Sequence, residues 1–190
     1  MTGRMPAFQA CLSEIATLRI SVFREYPYLY AGSLAYEEAY LATYSQSPES
    51  FAVLVRDGIR IVGVSTGLPL LQEADAFQQP FRAEGIDVRE IFYCGESVLL
   101  PDYRGRGTYR TFMARREAHA RALGFGVMAL CGVIRACDHL ARPSGYRSLD
   151  PVWLHFGYTP QPKLRAYLAW PEVPDHKSSV KALQFWLKRL

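Results

Sequence analysis

The stretch from Ile91 to Ile134 constrains the fold more than any other part of the chain. Ile91 to Leu100 has the β-rich, apolar character of a strand, and Thr108 to Leu123 reads as a helix ended by Gly124. Val127 to Ile134 is the near-continuous apolar run expected of a buried strand. Glycine just past a last helical turn accepts the left-handed conformation that ends a helix without a Cβ penalty. A strand, a helix and a second strand with a short return form a βαβ unit, so the two strands are expected to be parallel.

The flanking sequence supplies elements of other kinds. Phe8 to Glu25 places Leu12, Ile15, Leu18, Ile20, Val22 and Phe23 at broadly helical spacing and stops before Pro27, which predicts a first helix. Ser33 can cap a second helix over Leu34 to Ser47, with Pro48 beyond its end. Between them lies the aromatic linker Tyr26-Pro27-Tyr28-Leu29-Tyr30. Phe51 to Val55 and Ile59 to Leu68 are β-rich and split by Asp57-Gly58, which predicts a hairpin with a type I′ turn. The segment Gln72 to Glu90 holds five acids against two Arg, a net charge of −3, and reads either as a magnet for a cationic amine or as a solvated loop. Beyond a loop over Arg135 to Ser148, a short helix is expected over Leu149 to Phe156 before Gly157, with closing strands at Leu164 to Trp170 and Val180 to Leu187. No repeat or linker divides the chain, so residues 1–190 are read as one α+β domain.

Composition narrows the function classes. At 190 residues, 49% of them hydrophobic and 13% aromatic, the chain has ample apolar area to offset ordering entropy, which excludes a disordered protein. The net charge of +4 is too small for a nucleic-acid reader, which carries a dense basic stripe over one face. The character of the base is more telling: 18 of the 22 basic residues are Arg, and the four Lys all lie in the last thirty residues. Upstream of them every basic group is a planar fork suited to phosphate or carboxylate. Four Cys without a CxxC pair fit a reduced, cytoplasmic protein. The first residues lack an apolar stretch of secretory length and Val127 to Ile134 is about a third of a membrane span, so neither a leader nor a membrane segment is expected. His119, His139, His155 and His176 show no ligand spacing with one another or with Cys, and no metal is expected.

Six Arg gather around one glycine turn: Arg104, Arg106, Arg110, Arg115, Arg116 and Arg121, opposed only by Glu117. Arg115, Arg116 and Arg121 are read as a solvated helix face. The residues before the helix differ, because Arg104-Gly105-Arg106-Gly107 sits between a strand end and a helix start. Free backbone N–H groups and the positive end of the helix dipole converge there, which suits an anion. The dinucleotide pattern GxGxxG fails because Arg110 takes its third glycine, and no GxxxxGK[ST] occurs. What remains is a pyrophosphate loop of another kind.

At this point the sequence resembles a known family. Val98-Leu99-Leu100-Pro101-Asp102-Tyr103-Arg104-Gly105-Arg106-Gly107 is similar to the acetyl-CoA signature Q/R-x-x-G-x-G/A of the GNAT superfamily of N-acetyltransferases. Arg104 matches its first position and Gly107 its fourth, whereas Tyr109 stands where Gly or Ala is usual. Trp153-Leu154-His155-Phe156-Gly157-Tyr158 is similar to a late Y-x-x-x-G-F element, with Trp153 in place of the Tyr that often protonates the leaving thiolate. The resemblance covers the order of elements over nearly the whole chain. It implies a mixed, mostly antiparallel sheet with a central parallel βαβ pair that splays apart, flanked by helices.

The resemblance also implies acetyl-CoA as co-substrate and direct transfer of its acetyl group to a primary amine, on a small molecule or a peptide. The backbone of Val98, Leu99 and Leu100 would pair with the pantetheine arm and polarise the thioester carbonyl. Arg104, Gly105, Arg106, Gly107, Thr108 and Tyr109 would hold the pyrophosphate. An amine is nucleophilic only after it loses a proton, so a base is needed; Glu96 is the first candidate and Asp138-His139 the second. Tyr146 or Tyr158 would protonate the thiolate. Tyr26, Tyr28 and Tyr30 would line the acceptor site, although alternate residues cannot all face one way. Such a protein would be a monomer or homodimer. Two rival readings stand beside this one: a catalytically weak acyl-CoA-binding module on the same fold, suggested by Tyr109 and Trp153, and a serine hydrolase, suggested by Gly63-Val64-Ser65-Thr66-Gly67. The second requires a strand-to-helix turn that the β-rich run through Leu68-Pro69 does not offer.

Overall fold

The computed structural model describes residues 6–174 and 176–190. The segment Met1 to Met5, part of the stretch in which no leader is expected, lies outside them. Helix α1 (Pro6–Gln9) and helix α2 (Leu12–Phe23) replace the single first helix, with a break at Ala10-Cys11. Helix α3 (Leu34–Gln46) starts where Ser33 predicts, and the Ser33 Oγ accepts the Tyr36 N–H at 3.4 Å. Strands β1 (Phe51–Asp57) and β2 (Arg60–Pro69) form the expected hairpin. Its register pairs Asp57 with Arg60, so the loop is Gly58-Ile59, and only Gly58 has positive φ. A type I′ turn needs positive φ at both central residues, which Ile59 does not adopt.

The acidic segment is not a plain loop: it contains helix α4 (Asp75–Ala83), whose Phe77 and Phe81 are buried at a spacing of four. The expected strand over Ile91 to Leu100 is two strands, β3 (Ile91–Tyr93) and β4 (Ser97–Leu99). Helix α5 (Thr108–Ala122) ends at Gly124 with φ 85°, as its position predicts. Strand β5 (Val127–Val133) follows, then helix α6 (Asp150–His155) and the long strands β6 (Thr159–Pro171) and β7 (Ser178–Arg189). Among the described residues no helix is long and apolar enough to cross a membrane.

The strands form one mixed sheet in the order β1-β2-β3-β5-β7-β6, with β4 paired to β2. Among the described residues only β3 and β5 run parallel, with Ile91 opposite Val127 and Tyr93 opposite Ala129; the other pairs are antiparallel. The central strands alternate between two cores, as a sheet covered on both faces must. Ile91, Tyr93 and Ala129 face a core with Ile15, Leu41, Phe77 and Phe81 from α2, α3 and α4. Phe92, Cys94, Met128 and Leu130 face a second one with Met113, Ala120 and Trp153 from α5 and α6.

The positions of β3 and β4 create the feature that matters for function. The chain stays with β5 as far as Cys94, whose N–H reaches the Ala129 carbonyl at 2.8 Å. It then turns to β2: Gly95 N–H donates to the Thr66 carbonyl and Thr66 N–H to the Glu96 carbonyl. Beyond Cys94 a slot therefore opens between β4 and the end of β5.

Candidate active site

In an antiparallel pair, alternate residues direct their N–H and C=O groups to opposite edges of the strand. Leu100 N–H donates to the Val62 carbonyl, and Thr66 N–H to Glu96, so Glu96, Val98 and Leu100 turn their backbone toward β2. Ser97 and Leu99 turn theirs toward the slot, and both line it. This corrects the assignment of Val98 and Leu100 as pairing residues for an extended ligand. Only Leu99 of the three keeps that position, and Ser97 joins it. A period-two count from any one strand bond would have identified them.

The slot widens into a cleft of about 1360 Å³ whose walls come from the α2–α3 linker, β4, the turn before α5, β5 and the loop before α6. Gly105 and Gly107 have φ of 75° and 79°, with no atom within 4 Å of where a Cβ would stand. Gly107 is the N-cap of α5, so the first free N–H groups of that helix stand at this turn. Gly105, Gly107, Thr108 and Tyr109 all line the cleft. The Tyr109 ring turns toward α6, where its hydroxyl accepts the Trp153 Nε1–H at 2.9 Å and its ring meets Phe156 at 5.9 Å. The side chain that departs from the signature is thereby drawn aside from the glycine turn.

The arginines separate by environment. Arg104 lines the cleft with its fork on Glu25: Nη1 donates to Oε2 at 2.9 Å and Nη2 to Oε1 at 3.2 Å, while Nε donates to the Leu99 carbonyl at 3.0 Å. Arg106 is not among the lining residues; it lies over the Tyr103 ring at 5.2 Å and donates to the Asp102 carbonyl at 2.8 Å. Arg115 and Arg121 are exposed, but Arg116 is buried, which overturns its reading as part of a solvated face. Its Nη1 donates to the carbonyls of Glu96 at 3.2 Å and Thr66 at 3.4 Å.

The expected acid–base residues are scattered. Glu96 is buried and does not line the cleft; it pairs with Arg19, which also pairs with the buried Glu37. Tyr158 is fully buried, its hydroxyl 3.8 Å from the Cys94 Sγ, and burial raises its pKa far above the ordinary phenol range. Neither reaches the cleft. Asp138 is exposed, and the half-buried His139 packs on Tyr26 at 5.7 Å while its Nδ1 accepts the Ala141 N–H at 3.2 Å. That bond occupies the Nδ1 lone pair. Tyr146 lines the cleft, edge-on to Tyr26 at 4.6 Å, and burial raises its pKa, keeping it a phenol.

Of the linker tyrosines, Tyr26 and Tyr28 line the cleft and Tyr30 is core, buried among the residues around α3. Arg135 ties that linker in place: it donates to the Pro27 carbonyl at 2.7 Å, to that of Tyr28 at 3.0 Å and to Glu172. The acidic segment Gln72 to Glu90 contributes nothing to the cleft walls. Charges at the cleft come instead from Glu25, Asp150 and the arginines Arg104, Arg135, Arg142 and Arg147. Ser65, the nucleophile of the hydrolase pattern, is fully buried inside β2, its hydroxyl 3.3 Å from that of Ser97, and no helix follows it directly. The hydrolase reading fails on that geometry.

No family model matches the sequence, and no curated protein does. Solved structures do. A ribosomal-protein-alanine N-acetyltransferase from Brucella melitensis superposes with a TM-score of 0.61 at 14% identity, over 96% of each chain. A GCN5-related N-acetyltransferase from Kribbella flavida gives 0.56 at 13%, over 98% of this chain and 94% of that one. A Salmonella typhimurium structure solved with its cofactor acetyl-CoA gives 0.55 at 14%, over 96% and 90%. At such identities the likeness is one of fold, and the fold of the chain is that of the GNAT acetyltransferases.

Proposed function

We propose that this GNAT-fold chain is an acetyl-CoA-dependent acetyltransferase that passes the acetyl group directly to a primary amine. The observation that supports it best is that one cleft joins three features. These are the slot-facing backbone of Ser97 and Leu99, the obstacle-free glycine turn at the start of α5, and an aromatic wall of Tyr26 and Tyr146. The first suits an extended pantetheine arm and offers N–H donors to a developing oxyanion. The second suits a pyrophosphate. The third borders the acceptor and supplies in Tyr146 a neutral phenol able to protonate the departing thiolate.

A second reading rests on a specific observation: Glu96 and Tyr158 are both sealed away from the cleft, which favours a CoA-binding module without a dedicated base. Thiol release from acetyl-CoA over a broad amine panel separates the two. Turnover supports the transferase, and CoA binding without turnover for any acceptor supports the module. Within the transferase reading, Tyr146→Phe should lower kcat with little change in CoA affinity. Glu96→Gln, whose amide oxygen still accepts from Arg19, should leave turnover per folded molecule within about threefold of the parent, since the carboxylate takes no part in proton transfer. A loss of two or more decades in kcat with intact folding would return Glu96 to the role of base.

A further inference from the structure

The Arg104 fork faces the cleft beside the glycine turn, yet both of its terminal nitrogens are spent on one carboxylate, Glu25. Glu25 follows the last turn of α2 and immediately precedes Tyr26, so it belongs to the acceptor side of the cleft while its partner belongs to the turn. Both side chains are 44% exposed. An ion pair this open contributes little and yields readily to a polyanion offering more charge in the same fork geometry.

We propose, resting on the acetyl-CoA reading above, that Glu25 is a place-holder for the pyrophosphate. It occupies the Arg104 fork until CoA binds and then yields it, leaving its carboxylate free at the acceptor side beside Tyr26. The exchange has two consequences. Glu25 competes with the cofactor for Arg104 and weakens CoA binding. Once displaced, it presents an unpaired negative charge where an ammonium acceptor must arrive, so the two sites become coupled through one side chain, and the coupling acts equally in both directions. Glu25 acts here as a positioning residue, through Arg104.

The test is a calorimetric titration with CoA of the parent chain, Glu25→Gln, Arg104→Gln and the double variant, each first checked for folding by circular dichroism. Glu25→Gln should tighten CoA about fivefold, which is the release of a pair worth about 1 kcal/mol. Arg104→Gln should weaken it about tenfold through loss of a charged hydrogen-bonding fork. In the Arg104→Gln background, Glu25→Gln should change nothing. A merely structural role for Glu25 would weaken CoA binding on substitution. Simple repulsion between Glu25 and the phosphates would tighten it equally in both backgrounds. Either result, or no change in the single variant, overturns the proposal. Absence of CoA binding by the parent chain would instead refute the acetyl-CoA reading on which it rests.

Discussion

Replacing Arg19 by Met removes the guanidinium on which two buried carboxylates depend. Nε donates to Glu37 and Nη1 to Glu96, whose side chains are each 1% exposed. The guanidinium also lies over the Tyr40 ring at 4.6 Å and the Phe23 ring at 5.1 Å. Burial opposes the charge of Arg19, and the Glu96 carboxylate, Tyr40 and Glu37 outweigh that, so it stays protonated. Met keeps the reach and the packing of the stem without the charge. Breaking a buried pair costs about 3–5 kcal/mol, and with two carboxylates on one guanidinium the upper end applies. In a chain of 190 residues each kcal/mol moves Tm by about 2–4 °C, so a fall of about 10–20 °C is expected. Urea unfolding followed by the fluorescence of Trp153, Trp170 and Trp186 measures the loss. The triple variant R19M/E37Q/E96Q should regain most of the loss, because no charge is then left buried. A deficit below about 1 kcal/mol would refute this account of the network.

Gly107 tests the glycine turn. Asn and Asp both tolerate positive φ and match in shape, so G107N and G107D differ in charge alone; the Asp variant should bind CoA at least about tenfold more weakly, and equal affinities would move the phosphate elsewhere. Glu73 tests a buried carboxyl outside the ion-pair network: burial raises its pKa, while bonds from the Ala74 N–H and the Tyr44 hydroxyl only partly offset this. With its folded-state pKa raised, it destabilises the fold progressively as pH rises above about 4.3, so E73Q should raise the urea midpoint near neutrality and not below that pH. Gly95 tests the crossing from β5 to β2: an added Cβ would stand 2.1 Å from the Tyr44 hydroxyl and 2.6 Å from Thr66 Oγ1, both buried, so G95A should cost about 1–3 kcal/mol in chemical unfolding. A parent-like midpoint would show that the crossing has slack.

Local signals carried much of the fold into the sequence. Gly124, Ser33 and the apolar run from Val127 each fixed an element boundary, because each acts through its own backbone or neighbours a few residues away. Helix α4 was hidden by charge: counting acids over Gln72 to Glu90 obscured the pair Phe77 and Phe81 that buries it. The break at Gly95 had a signal, since an isolated glycine inside a strand pattern marks a bulge or a close backbone approach. Arg116 had one too. It stands between Phe112 and Ala120 at intervals of four, on the buried stripe of α5, and helical phase outranks composition in deciding its side. The Glu96 pairing had none: its partner Arg19 lies 77 residues away, and nothing local distinguishes a strand glutamate that faces a ligand from one that faces an arginine.

The same residues explain why the slot exists at all. A strand that leaves its neighbour gives up ladder hydrogen bonds, and Ser97 and Leu99 would gain by closing onto β5 unless something held them away. Three features act at the departure point. Gly95 lets the chain pass against Tyr44 and Thr66, where a side chain would not fit. Arg116, reaching from α5, donates to the carbonyls of both Thr66 and Glu96 and fastens the departing strand to β2. Arg19, from the helix on the opposite face, holds the Glu96 side chain. The strand is thus pinned from both faces of the sheet within two residues of where it diverges. Glu96, which in sequence looks like a base, and Arg116, which looks like solvated surface, work together to keep two backbone edges apart, and the chemistry falls to the groups that line the gap they hold open.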